Sequence, residues 1–163
     1  MSEPRRPITY LDSPVRTGNT ALLDADAATA VLGAARRIAI VGASTNPWRA
    51  SHSVMAYLMS QGYECVPVNP NESQVLGRRC FPTLEAALAG TGGQPFDIVD
   101  VFRRPEYTPD IARSAVVLGS GTLWLQQRVI NWQAAGIAYQ GGLNVVMDRC
   151  TAIDHRRMRM TAR

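Results

Sequence analysis

The chain has 163 residues, 46% hydrophobic and 18% charged, the size and composition of one domain that buries its own core without disulfides or a structural metal. All 17 basic residues are arginine, which excludes a Schiff-base lysine, a lysine general base and the lysine of a phosphate-binding P-loop. The net charge of +4 is spread along the chain with no zinc-ligand spacing and no basic-aromatic stripe, so it suits an anionic small ligand better than a specific nucleic-acid site.

No apolar run approaches the roughly 20 residues that a bilayer requires, and no apolar signal segment opens the sequence. Cys65, Cys80 and Cys150 are odd in number and lack metal-ligand spacing, which fits a reducing compartment. A cytoplasmic protein with no membrane contact is expected. Residues 1–22 carry prolines and the pair Arg5-Arg6 without apolar periodicity and read as a flexible arm, leaving 23–163 as a single domain.

Asp24 is placed to cap a helix over Asp26 to Ala35. From Arg37 onward, short buried-strand runs alternate with amphipathic stretches. The strands expected are Ile38 to Val41, Glu64 to Val68, Ile98 to Phe102, Thr122 to Leu125, Ile137 to Tyr139 and Val145 to Met147. Helices are expected at His52 to Gln61, Leu84 to Ala89, Asp110 to Leu118 and Val129 to Ala135. Thr83 and Thr108 stand as caps, Pro109 as a first helical residue, and Gly62, Gly90, Gly119 and Gly136 as terminators. This alternation implies right-handed crossovers and a mostly parallel sheet covered on both faces: a three-layer, doubly wound, Rossmann-like α/β fold.

The first strand ends on Gly42-Ala43-Ser44, and a helix follows near Ser51, which is where doubly wound folds bind nucleotides. A helix N-terminus offers unpaired N–H groups and the positive end of its dipole, so a pyrophosphate is stabilised there without lysine. Gly42 permits close approach and Ala43 keeps the space open. Ser44, Asn46, Ser51 and Ser53 can donate hydrogen bonds, and Arg49 can pair with a phosphate. The competing interpretation is a tight turn with Ser51 as its cap.

Gly42 stands alone where a dinucleotide fingerprint has three glycines. The second strand ends Pro67-Val68-Asn69-Pro70, with neutral Asn69 where an NAD site places an acid on the ribose 2′-hydroxyl. Arg78 and Arg79 lie further on, within possible reach of a phosphate. An adenylated ligand other than NAD is expected; coenzyme A fits, and NADP remains open.

Val41-Gly42-Ala43-Ser44, Asn46-Pro47 with Arg49 and Ser51, Pro67 to Pro70, Leu76-Gly77 and Val101-Phe102-Arg103 together resemble the small bacterial and archaeal CoA-binding proteins. Those are similar in turn to the CoA-binding domain of the succinyl-CoA synthetase alpha subunit. The resemblance continues through Trp124, Gln126, Gly141-Gly142 and Asp148-Arg149-Cys150, covering roughly 36–155. It implies coenzyme A as cofactor, its pyrophosphate on Gly42 to Ser44 with Arg49, its adenosine beside Pro67 and Asn69, and its pantetheine arm passing Phe102 and Arg103.

Trp124 and Gln126 alternate on one strand and face one side, either at the thioester end of the pocket or in the core. Cys150 follows the last strand, either near the ligand thiol or as a small packing residue. His52 and His155 fall at the start of a helix and in an arginine-rich terminal helix, with no catalytic triad, paired carboxylates or metal cluster around them. No catalytic or metal-ligating residue is assigned. The sequence points to a module binding CoA or acyl-CoA, acting through a protein partner or a homo-oligomer. The alternative is an NADP-dependent or acyl-CoA-using enzyme on the same fold.

Overall fold

The computed structural model describes residues 20–161. Five parallel strands form the central sheet: β1 Arg37–Val41, β2 Glu64–Val68, β5 Ile98–Val101, β6 Thr122–Leu125 and β7 Asn144–Val146, in the order β2-β1-β5-β6-β7. A two-stranded hairpin, β3 Gln74–Val75 and β4 Arg78–Arg79, follows β2. Helices α1 Ala25–Ala34, α2 Ala50–Ser60 and α6 Thr151–Thr161 cover one face, and α3 Leu84–Gly90, α4 Thr108–Val117 and α5 Trp132–Gln140 the other. This is the expected three-layer Rossmann-like fold.

The strands are apolar throughout because both their faces are covered. Ile38 and Ile40 of β1 pack toward α1, α2 and α6, while Ala39 and Val41 pack toward α3 and α4. Each fully buried side chain such as Ile40, Leu58 or Leu123 contributes about 1.5–3 kcal/mol relative to exposure.

Residues 1–19 of the expected arm lie outside the described residues. Residues 20–22, expected in the arm, are buried, and the Leu23 N–H donates to the Val145 carbonyl at 2.8 Å beside β7. On the opposite edge, the Phe81 N–H donates to the Pro67 carbonyl at 3.1 Å and the Asn69 N–H to the Phe81 carbonyl at 2.9 Å.

Asp24 caps α1 by accepting from the Ala27 N–H, and Thr83 caps α3 by accepting from the Ala86 N–H. Other expectations need correction. Thr108 is no cap: a 3-10 turn, Pro105–Tyr107, runs directly into α4, and the Thr108 hydroxyl donates back to the Pro105 carbonyl at 2.6 Å. The expected strand over Ile137 to Tyr139 is part of α5, and Gly136 is buried inside that helix rather than closing it. Asn131 starts α5 by accepting from the Ala134 N–H at 2.9 Å. The helix ends at Gly141-Gly142, where Gly142 adopts a φ of 89°.

Candidate ligand site at the switch point

The strand order reverses between β1 and β5, so the connections leaving these two strands diverge and leave a crevice at their carboxyl ends. Gly42 follows β1 with φ +89°, a conformation that favours glycine, and its N–H donates to the Val68 carbonyl at 2.9 Å. A Cβ at this position would stand 3.1 Å from the Phe102 carbonyl oxygen and 3.2 Å from Arg103 Cδ. Glycine therefore serves the chain's own close approach at the switch point. The Phe102 N–H donates to the Val41 carbonyl at 2.8 Å, joining the two rims.

Beyond Gly42, the turn is shaped by its own side chains. Ser44 Oγ accepts from the Asn46 N–H and Asn46 Oδ1 accepts from the Trp48 N–H, each at 3.0 Å. The Asn46 carbonyl accepts from the Arg49 N–H at 3.0 Å. Arg49 is the exposed N-cap of α2 and caps through its backbone alone. Among the described residues, no hydrogen bond engages the N–H groups of Ala43, Ser44, Thr45, Ala50 or Ser51. That leaves donors with the positive end of the α2 dipole behind them and Arg49 beside them, an arrangement that accepts a phosphate.

Ala43 is fully buried. Asn69, at the end of β2, sends Nδ2 to the Ala43 carbonyl at 2.7 Å, and its Oδ1 accepts from the Asn71 N–H at 2.9 Å. Its side chain is thus a strut that fixes the turn. Ser51 is buried in the first turn of α2 and is not the cap; the hydroxyl of Ser53, a further expected donor, donates to the Ala50 carbonyl. Phe102 packs on the α2 side of the sheet with Ala43. Arg103 is half-buried, with its guanidinium 4.6 Å from the Tyr107 ring centre.

A cleft of about 280 Å3 opens here between Val41, Val68, Pro70, Pro82, Arg103 and Tyr107. It lies on the α3 and α4 side of the carboxyl ends of β1 and β2, bringing Arg103 and apolar walls close to the end of β1; none of the residues with open amides lines it. Of the sequence candidates, Gly42, Ala43, Ser44, Asn46, Arg49, Ser51, Asn69, Phe102 and Arg103 belong to the turn or its rim. Pro67 is buried in β2 and lines a second cleft along the outer edge of the sheet, with Glu64, Arg78 and Arg79. Trp124 and Gln126 are buried: the Trp124 indole N–H donates to the Arg149 carbonyl at 2.8 Å, and Gln126 bonds to Asp100 and Thr151.

Sequence reasoning passed over two features. Asp100, fully buried in β5, reads as one position of an apolar run, yet a lone carboxylate there was a visible signal. Trp48 is 92% exposed between Asn46 and Arg49, while Trp124 and Trp132 are buried.

The CoA-binding domain family model matches residues 36–156, a span that begins just before β1 and includes the turn, Asn69, Phe102 and Arg103. This chain belongs to that family. The chain is 36% identical over 125 residues to the uncharacterized protein YneT of Bacillus subtilis (strain 168), covering 77% of this chain and 89% of that one. A hypothetical protein from Pyrococcus horikoshii OT3 superposes with a TM-score of 0.77 at 30% identity, covering 97% and 99% of the two chains. Prb, a PH1109 protein redesigned for binding, gives 0.76 at 33% identity over 83% and 92%. A dinucleotide-forming acetyl-coenzyme A synthetase from Ca. Korarchaeum cryptofilum shares the fold, at 17% identity and a TM-score of 0.57; the match covers 69% of this chain and 26% of the synthetase.

Proposed function

We propose that this protein is a cytoplasmic module that binds coenzyme A or an acyl-CoA at the β1–β5 crevice and acts through a protein partner or a second copy rather than by catalysis. The observation that carries this reading is the set of open backbone amides at Ala43 to Thr45 and at the start of α2, beside Arg49. Membership of the CoA-binding family supports the choice of ligand. The pyrophosphate rests on the turn, the adenosine lies toward Asn69 and the end of β2, and the pantetheine arm passes Phe102 and Arg103. The binding domain takes in the buried Thr20, Ala21 and Leu22 and runs on from residue 23; the residues before Thr20 are its lead.

The surroundings of His155 favour a binding role. His155 is buried and its Nδ1 lies 2.8 Å from the Tyr57 hydroxyl, a packing contact between α6 and α2. Among the described residues, no cluster of three or more His, Cys, Asp or Glu residues is placed to hold a metal. No described helix is long and apolar enough to cross a membrane.

Isothermal titration with CoA, acetyl-CoA, NAD and NADP tests the proposal. CoA binding with no NAD binding at comparable concentration is expected. Tighter NAD binding would overturn it, and NADP preference would move the protein toward the enzyme reading.

A further inference from the structure

Asp100 lies in β5, paired in register with Ile40 of β1 and Trp124 of β6, and is fully buried. Gln126 Nε2 donates to its Oδ1 at 2.7 Å, and the Thr151 hydroxyl donates to its Oδ2 at 2.9 Å. Gln126 Nε2 also donates to Thr151 Oγ1 at 2.9 Å, closing a three-membered network. Both partners of Asp100 are neutral. The other buried acid nearby, Asp154, is held by a two-pronged pair with Arg149 at 2.7 and 2.8 Å.

The remaining surroundings of Asp100 do little to favour its charge. β1 presents Ile38 and Ile40 on this face, β6 presents Trp124, and α2 presents Val54, Met55 and Leu58. Asp100 raises the thiols of Cys65 in β2 and of Cys150 before α6, and Asp154 within α6 adds to the effect on Cys150. The N-terminus of α6, which begins at Thr151, offers partial positive charge, and Arg149, two residues before it, is paired with Asp154. Burial pushes the Asp100 carboxyl up to about 7, opposed by the hydrogen bonds from Gln126 and Thr151.

The network gathers three segments at the carboxyl ends of the strands. Asp100 is two residues, about 7 Å of strand, before Phe102. Gln126 is the first residue after β6, and Thr151 is the first of α6. Ionised Asp100 accepts from both neighbours. Neutral Asp100, having taken a proton from solvent on Oδ2, donates to Thr151 Oγ1, and the threonine hydrogen must turn elsewhere. One proton therefore reverses one hydrogen bond on the α2 side of the sheet, two residues before Phe102.

We propose that Asp100 is a positioning residue that couples ligand binding at the crevice to the uptake of one proton, an inference that rests on the ligand being the anionic CoA ester proposed above. Negative charge arriving at the turn disfavours a second negative charge beneath it, so binding raises the proton affinity of Asp100. By reciprocity, affinity falls as pH rises through neutrality.

Calorimetric titration of CoA into wild type and Asp100→Asn, from pH 6 to 8 in buffers of different ionisation heat, counts the protons taken up. The phosphate of CoA titrates alike in both proteins, so the difference belongs to Asp100. Wild type is expected to take up more protons near neutrality, and its affinity to fall more steeply with pH, by no more than about tenfold per unit for one proton. Equal counts at every pH overturn the coupling and leave CoA binding intact. No CoA binding by wild type overturns the functional reading and the coupling with it. Carboxyl carbon NMR of the wild type needs no variant: the Asp100 midpoint is expected to rise on adding CoA, and an unmoved midpoint refutes the proposal.

Discussion

Asn69 Nδ2 and the Ala43 carbonyl, 2.7 Å apart, tie the end of β2 to the turn that follows β1. Replacing Asn69 by alanine removes the donor and the anchor for the Asn71 N–H. A stability loss of about 0.5–1.5 kcal/mol is expected, since the bonds are partly exposed. CoA affinity falls together with that for dephospho-CoA, because the shared pyrophosphate cradle moves. Chemical denaturation and calorimetry read the two effects. Lost affinity for CoA alone would instead place Asn69 at the 3′-phosphate.

Gly42 lies against the chain's own Phe102 and Arg103 in a left-handed conformation, so a β-branched replacement is strained twice. Gly42→Val is expected to destabilise the protein by about 1–3 kcal/mol and to abolish CoA binding. Amide exchange should remain slow in β6 and β7. Unchanged affinity would remove the turn from the site.

Arg49 caps α2 through its backbone, leaving its exposed guanidinium available to a ligand. Arg49→Ala is expected to weaken CoA and dephospho-CoA equally, each by about 1.5–3 kcal/mol, through loss of a charge-assisted contact to the pyrophosphate. A selective loss for CoA would move this arginine to the ribose end.

Burial lowers the His155 imidazole below its ordinary range, with Arg159 and Arg156 adding to the effect. The unfolded chain thus takes up a proton at higher pH than the folded one. Stability from this group is present above pH 6.5 and is lost as pH falls through the lowered folded value. Asp100 has the opposite sign: its carboxyl is raised, so stability is lost as pH climbs from about 4 to about 7. Thermal melts should therefore show His155→Gln less sensitive than wild type to acid below pH 6.5, and Asp100→Asn less sensitive to the rise toward pH 7. Parallel profiles for wild type and either variant would contradict the corresponding assignment.

Burial also raises the Cys150 thiol, and it pushes Cys65 up to about 12. Slow alkylation of both is expected at pH 8, and a mixed disulfide of Cys150 with oxidised CoA should form slowly or not at all. Intact mass after incubation with oxidised CoA, for wild type and Cys150→Ser, is the measurement. Rapid gain of one CoA mass by wild type alone would show that the thiol reaches the ligand.

Much of this architecture was legible because local pattern and tertiary role agree. Ile38 to Val41 is an apolar run of strand length ending at Gly42, and Thr83 precedes α3 as a cap should. The error at Ile137 to Tyr139 came from a three-residue apolar run that periodicity cannot assign. Reading Asn131 as a cap would have merged it with the residues before it. A Cβ at Gly141 would lie 2.4 Å from a Val116 methyl, so packing of α5 on α4 helps fix the true end. The turn between β1 and α2 was legible, but the task of Asn69 was not, because its partner Ala43 lies 26 residues away in sequence. The Asp100 network likewise joins positions 26 and 51 residues apart.

Trp48 gives this protein an optical reporter of its own. Its indole is surrounded by water beside the open amides, while those of Trp124 and Trp132 are enclosed, so the red side of the emission belongs to one residue. Anything that settles on the turn, whether nucleotide or protein, changes the solvent around that ring. Acrylamide quenches the red component first, and a ligand that shields it from the quencher announces where it has bound without a label being attached.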